Sequence, residues 1–474
     1  MIIERFIKSI IKFSISAWMN LVMGLFAVVI GTRIFTPDVY GVLNVFNTSS
    51  GVLVGISCLG FDGGILRFFH EPPKGWDVKK LFVHCLLMGM AGLTILTIGM
   101  LFFYDLITSR IFHKVSFYIA VLLSVNAFSI MVLNHFTCQL YRMAEDAYHY
   151  NIQQVLVQFF TKVFVLGAAV IEPSVEVVLA MNTIGIFLLM IIYLWIQRKD
   201  IFPNTFSFAW SEFFPIAKFS FYSWPKTIIV YLDGFLLPLM ITTVLGSYYL
   251  GIYASAGYFS AMLTVLQNGF RVYWAAFIYK HYKDERSLIC AVHDYILMSV
   301  ILLLGLFIIF QHIVYFMIGQ AFHESRLFFS LVVLDPLLML LMQTTCYGTT
   351  LVKKNQQEAV VFVSTLMFSV VLIYYLTCFY GLIGSAIAVA ISSLLRFSLS
   401  TWRGQVYYKT ISSYKKTFFG VLILIVMSVS NVVFNNYYYV EMLVIGLLFA
   451  VGGGVYRDRI SEVVSYARCK LLKS

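Results

Sequence analysis

Thr32-Arg33-Ile34-Phe35-Thr36-Pro37-Asp38-Val39-Tyr40-Gly41-Val42-Leu43 is a short turn that closes one apolar run, residues 9–31, and opens the next, residues 42–66. Each run is long enough for a helix to cross a bilayer, which takes about 20 apolar residues. Working outward, the same alternation of long apolar run and short connection fills the chain: 81–104, 115–138, 151–171, 178–197, 213–236, 249–273, 288–312, 326–349, 357–378, 381–402, 416–434 and 437–455. Of the 474 residues, 61% are hydrophobic, and a mean hydropathy of +0.88 leaves no soluble core. The runs are continuously apolar and lack the ten-residue alternation of outer-membrane strands, so helices are expected over a barrel. The expected class is an all-α polytopic membrane protein with about 14 transmembrane helices.

Short loops rich in Lys and Arg stay on the cytoplasmic side. With the N-terminus inside, all but six of the 33 Lys and Arg fall in cytoplasmic segments; Arg33, Arg110, Lys114 and Arg326 lie outside, and Lys162 and Lys226 lie within spans. Both termini are therefore expected in the cytoplasm of a plasma (inner) membrane. Arg5, Lys8 and Lys12 precede the first run as in a signal peptide, but the run is too long and no small-residue cleavage site follows, so it reads as an uncleaved helix. The net charge of +11 then reflects basic loops against anionic headgroups, with no nucleic-acid partner, because the basic residues are scattered over many loops.

Several chemistries find no support in the pattern. Cys58, Cys85, Cys138, Cys290, Cys346, Cys378 and Cys469 show no CxxC or metal-ligand spacing, and the histidines form no HExxH pair, so neither a metal nor a cofactor is expected. No GxxxxGK[ST] loop occurs, so the chain carries no ATPase of this type. Energy must come from a gradient or a partner. Aromatic clusters such as Tyr148-His149-Tyr150 and Tyr437-Tyr438-Tyr439 read as interfacial belts.

An internal echo organises the chain. The turn at Thr32–Leu43 has a counterpart 210 residues on, Thr242-Thr243-Val244-Leu245-Gly246-Ser247-Tyr248-Tyr249-Leu250-Gly251-Ile252-Tyr253, with a glycine at the same place. The same offset pairs the turn near Pro173 with that near Gly384. Six spans return the chain to its starting side, so the repeats would be parallel, related by a pseudo-twofold axis along the membrane normal. The expected organisation is a lobe of six helices in 1–200, a second in 201–405, and two additional helices with a basic tail in 406–474.

The segment Thr32–Val45, followed by Leu59-Gly60-Phe61-Asp62-Gly63-Gly64-Ile65-Leu66-Arg67-Phe68-Phe69, resembles the polysaccharide transporters, specifically Wzx-type O-antigen or capsule-unit flippases of the multidrug/oligosaccharidyl-lipid/polysaccharide (MOP) exporter superfamily. Asp233 in the seventh span, followed by Gly251-Ile252-Tyr253-Ala254, adds to the likeness, although the family usually has a basic residue after that Asp and Gly234 stands here. The resemblance implies a non-enzymatic flippase that carries polyprenyl-pyrophosphate-linked oligosaccharide for polysaccharide or lipopolysaccharide biosynthesis, with membrane lipid and polysaccharide assembly proteins as its surroundings. A multidrug or other MOP-type exporter is the alternative, and a membrane glycosyltransferase or polymerase is a more distant one, since the longest outer connections, 105–114 and 313–325, hold no paired acids.

A charge placed within the bilayer is costly and normally faces the bundle interior or a wet cavity. Gln154, Gln158 and Lys162 are spaced i, i+4, i+8 in the fifth span and share one α-helical face, lining a cavity or bonding to a neighbouring helix. Lys226 follows Trp224-Pro225, where the proline removes a backbone donor and is expected to kink the seventh helix; Asp233 stands at i+7. Arg67 and Arg271 end the second and eighth spans, and read either as a bracket for pyrophosphate, whose oxygens suit guanidinium, or as positive-inside anchors. Arg33 at the outer turn would receive the same group on exit, or cap the first helix. Asp233, Asp294 and Asp335, the last in an Asp335-Pro336 pair, are the expected ion-coupling or gating acids. The substrate-binding set is thus Arg33, Arg67, Gln154, Gln158, Lys162, Lys226 and Arg271.

Overall fold

The computed structural model describes the backbone of residues 2–70, 72–144, 146–167, 172, 174–201, 203, 210–352 and 354–462, and the described residues are helical with no strand. Eleven described helices are long and apolar enough to cross a membrane. Counting the longest of them as its two halves, and adding the first helix and a helix that continues through a π segment, gives a helix to each of the fourteen runs. Contacts divide the chain into Met1–Ala254 and Ser255–Ser474.

The first unit contains α1 (Ile2–Ile34), α2 (Pro37–Ser57), α3 (Phe61–Phe68), α4 (Val78–Phe102), α5 (Tyr104–Phe112), α6 (Phe117–Ile130), α7 (Cys138–Met143), α8 (Ala147–Gln158), α9 (Val175–Ile196), α10 (Trp210–Leu245) and the start of α11 (Ser247–His281). α2 begins as its sequence dictates: Thr36 caps it, its side chain accepting from the Val39 N–H at 3.5 Å, and Pro37 takes the first turn, where a missing N–H costs nothing. α2 packs on α10, α4 and α6, α9 packs on α6, and α1 packs on α8. The core between them holds Val54, Cys58, Phe61, Ile65, Leu81, Phe82, Phe136 and Ile216.

The two halves of the echo meet within this unit. A Cβ at Gly41 would collide with the Ser247 carbonyl oxygen, and one at Gly251, 210 residues on, would collide with the Pro37 carbonyl oxygen. Each carbonyl lies four residues before the other glycine, so the contact is reciprocal, and small residues alone let two membrane helices approach this closely. The Ser247 hydroxyl also donates to Asp38.

Three elements depart from plain spans. The second run divides into α2 and α3, because Leu59 at φ 48° and Gly60 at φ 76° turn the chain left-handed. α6 passes through a π segment, π1 (Met131–Thr137), into α7, and α8 passes into π2 (Phe159–Phe164). α10, by contrast, continues as one 36-residue helix through Pro215, Pro225 and Pro238.

The second unit holds the rest of α11, then α12 (Arg286–Met317), α13 (Phe329–Thr345), α14 (Tyr347–Leu351), α15 (Asn355–Tyr407), α16 (Tyr414–Phe434) and α17 (Tyr438–Val455). α13 is its centre, with nearly all of its residues buried and α15, α12 and α16 around it. Gly381, at φ 62° and ψ −141°, breaks α15 between the runs 357–378 and 381–402. α16 and α17 pack on α12. A buried polar cluster joins all three, with Gln311 Nε2 donating to both Glu441 oxygens at 3.0 and 3.1 Å and Asn431 Nδ2 to Oε1 at 2.7 Å.

Candidate functional site

The break in α2 leaves the carbonyls of Gly55 and Ile56 without the partners a continuing helix would supply. The Trp224 indole N–H takes their place, reaching the Gly55 oxygen at 3.3 Å and the Ile56 oxygen at 3.0 Å. Two turns further along α10, the Tyr231 ring lies on Gly55, occupying the space a Cβ would need. The break itself places Asp62 in the first turn of α3, where the helix N-terminus favours a carboxylate.

Asp62 is not alone there. His135, carried on π1, sets Nδ1 3.0 Å from Asp62 Oδ2, and its Nε2 lies 2.8 Å from the Tyr231 hydroxyl. A continuous hydrogen-bonded chain thus links the break in α2, π1 and α10. A single π turn inside an α-helix is rare and found most often at functional sites. Neither His135 nor Tyr231 is among the residues selected from sequence, yet a histidine inside the apolar run 115–138 is the signal that finds one, because intramembrane ionisable groups are default site candidates.

The polar stripe expected on the fifth span is divided by its partners. Gln154 donates to Cys138 Sγ at 3.1 Å and to Asn134 Oδ1 at 3.5 Å, and the neighbouring Gln153 donates to Thr137 Oγ1 at 2.6 Å and to the Leu133 oxygen at 3.0 Å. These bonds tie α8 to π1 and α7. Lys162, on π2, instead turns to α1, its ammonium lying 3.5 Å from where a Cβ of Gly24 would stand. Gln158 ends α8 immediately before the π segment and is half-buried.

The remaining selected residues occupy varied settings. Arg33 stands exposed in the last turn of α1, Arg67 exposed at the end of α3 with its guanidinium 5.7 Å from the Phe68 ring centroid, and Arg271 exposed on α11. Asp233 is exposed on α10, while the side chain of Lys226 lies outside the described residues. Asp294 is buried and bonded, 3.1 Å from Arg459 Nε and 3.2 Å from the Ser412 hydroxyl. Asp335 accepts from the Ser393 hydroxyl. Among the described residues no group of His, Cys, Asp and Glu is arranged to hold a metal.

No protein-family model matches the chain, and no curated protein does. Solved structures do. The lipid II flippase MurJ in an inward closed conformation superimposes with a TM-score of 0.69 at 14% identity, over 95% of this chain and 100% of its own. An inward-facing multidrug resistance MATE transporter of the MOP superfamily gives 0.61 at 16% identity, over 83% of this chain and 94% of its own. An outward-facing MATE transporter gives 0.52 at 15% identity, over 84% of this chain. The chain therefore has the all-helical fold that the lipid II flippase shares with the MATE transporters of the MOP superfamily.

Proposed function

We propose that the protein is a flippase moving polyprenyl-pyrophosphate-linked oligosaccharide units, precursors of O-antigen, capsule or a similar polysaccharide, from the inner to the outer leaflet of the inner membrane by alternating access. The observation that carries this reading is coverage: the lipid II flippase is matched along its whole length and over 95% of this chain, whereas the MATE transporter leaves about a sixth of this chain unmatched. The physical demand also fits, because a pyrophosphate and its sugars must cross a low-dielectric slab that the prenyl tail need not leave. Counter-charge is supplied by Arg67, Lys162, Lys226 and Arg271, aided by Gln154 and Gln158, with Arg33 at the exit. Asp233, Asp294 and Asp335 are gating positions, the last two through the contacts they make with Arg459 and Ser393. The two six-helix repeats, 1–200 and 201–405, would be the moving parts, and both termini face the cytoplasm. The MATE likeness keeps a multidrug exporter as the second reading.

The test is complementation in cells that lack their own flippase for a polyprenyl-linked oligosaccharide. Wild type should restore surface polysaccharide, and changing Lys162 to Gln should reduce it at least tenfold at equal protein level. Surface polysaccharide undiminished after neutralising Arg67, Lys162, Lys226 and Arg271 together would sink the cationic pathway. Restored drug resistance without restored polysaccharide would favour the exporter.

A further inference from the structure

We infer that α10 and the outer end of α11, which open the second repeat in sequence, travel with the first repeat as one rigid body, so that the flexing segment lies in α11 beyond Ala254. The inference rests on the transport reading for the existence of moving parts, and it shifts their division from residue 200 to α11. Contacts group the chain in this way, with the first unit running to Ala254 and α10 packed on α2, α3 and α5. The seam that joins them is long. At its outer end Gly41 meets the Ser247 carbonyl oxygen, and Asp38 accepts from the Ser247 hydroxyl. Midway the Tyr231 ring lies on Gly51 and Gly55, and at the inner end Gly64 meets Ser220 while Phe61 stacks on Phe213 at 5.5 Å. As the position on α2 and α3 climbs from 41 to 64, its partner falls from 247 to 220, so one antiparallel register runs the whole way. At 1.5 Å per helical residue that stretch is about 35 Å long, against a hydrocarbon core of about 30 Å.

Rocking one body against another opens their shared seam at one end, and this seam has no end built to open. Trp224 on α10 satisfies the Gly55 and Ile56 carbonyls that the break in α2 leaves bare, and the Tyr231 ring fills the notch over Gly55. Drawing α10 away would strand those carbonyls where no water replaces the indole, and would leave a void in place of the ring. Tyr231 also bonds His135, which bonds Asp62, so α10 is tied to π1 and α3 by the same side chain. At the inner end Glu212, in the first turn of α10, accepts from the Trp76 indole and lies 3.5 Å from Lys80 Nζ, which holds the start of α10 to α4 and to the connection before it. The consequence for the cargo is a regrouping of its counter-charges. Lys226 and Asp233 belong to the second repeat by sequence, yet they keep fixed separations from Arg67 and Lys162 throughout the cycle. Of the pathway cations, Arg271 alone is carried beyond the flexing segment.

Two disulfides test the seam in the full chain. A Cβ on Gly64 would stand 3.9 Å from that of Ser220, a separation that a disulfide accepts, so Gly64→Cys with Ser220→Cys staples the inner end. Asp38→Cys with Ser247→Cys staples the outer end, where the two side chains meet. In the complementation assay, with each staple verified by blocked reaction with a maleimide reagent, either pair and both together should restore as much surface polysaccharide as the same variants kept reduced. A loss on oxidation that reductant reverses, at either end, overturns the inference, because the seam then parts there in each cycle. The second measurement needs no flipping. Spin labels at His70 and Phe221, exposed beside the inner end, and at Asp38 and Tyr248, exposed beside the outer end, should each give one distance population in lipid nanodiscs, unchanged by added polyprenyl pyrophosphate. A second, longer population at either end overturns the inference even where a stapled variant fails to fold. Wild type that restores no polysaccharide refutes the cargo, and the spin-label distances still decide the seam.

Discussion

Gly381 sits at φ 62° and ψ −141°, a conformation essentially reserved for glycine, and it divides two spans that would otherwise run together. Gly381→Ala should lower stability by about 1–3 kcal/mol, read as a fall in the thermal midpoint of detergent-solubilised protein. Gly446, helical and with nothing within 4 Å of a built Cβ, is the control, and Gly446→Ala should be neutral or slightly stabilising. At this scale the sequence is informative about burial cost and silent about partners. Lys162 stood out because a cation inside an apolar run has to be explained. His135 stood in the same kind of run and matters through Asp62, 73 positions away, and no spacing rule along one helix connects them.

The π segments show where element-level reading stops. Spacing Gln154, Gln158 and Lys162 by four assumes an α ladder, but hydrogen bonds in π2 run i→i+5, which adds a residue to the turn. Gln154 then finds its partners on π1 and α7, and Lys162 lies against α1. Deleting Thr161 should restore the α ladder and rotate Lys162 by about 100°. The variant should insert and melt as well as wild type yet fail to restore surface polysaccharide. Unimpaired complementation would show that the π turn has no part in placing the lysine. Run lengths were legible because they follow from the thickness of the bilayer. The break at Leu59 and Gly60 was not, since hydropathy counts apolar residues and is blind to φ. At Pro225 the helix α10 is not interrupted; membrane helices tolerate proline where neighbours re-satisfy the backbone.

For the molecule as a whole, the last two helices are fastened to α12 within the second unit from both ends. The Glu441, Gln311 and Asn431 cluster holds one end, and the Asp294–Arg459 pair holds the other. Arg459→Gln should cost about 3 kcal/mol, because it strands the buried Asp294 carboxylate, whereas Asp294→Asn should cost less, since Arg459 keeps Glu462 at 3.0 Å, and the double substitution should recover part of the Arg459→Gln loss. Additive losses in thermal denaturation would show that the two residues do not act as a pair. The fourteen-run plan and the all-helical class follow from composition and length. The fastening does not, since it depends on polar side chains scattered among apolar runs and paired over more than a hundred positions.

The reciprocal collision at Gly41 and Gly251 has a consequence for inheritance. Neither position can acquire a side chain unless the two helices part, and a change at one that parts them releases the other as well. The two codons should behave as one character in descent, jointly glycine or jointly replaced, and the mark of an ancient doubling would persist at these positions long after the surrounding residues had drifted apart.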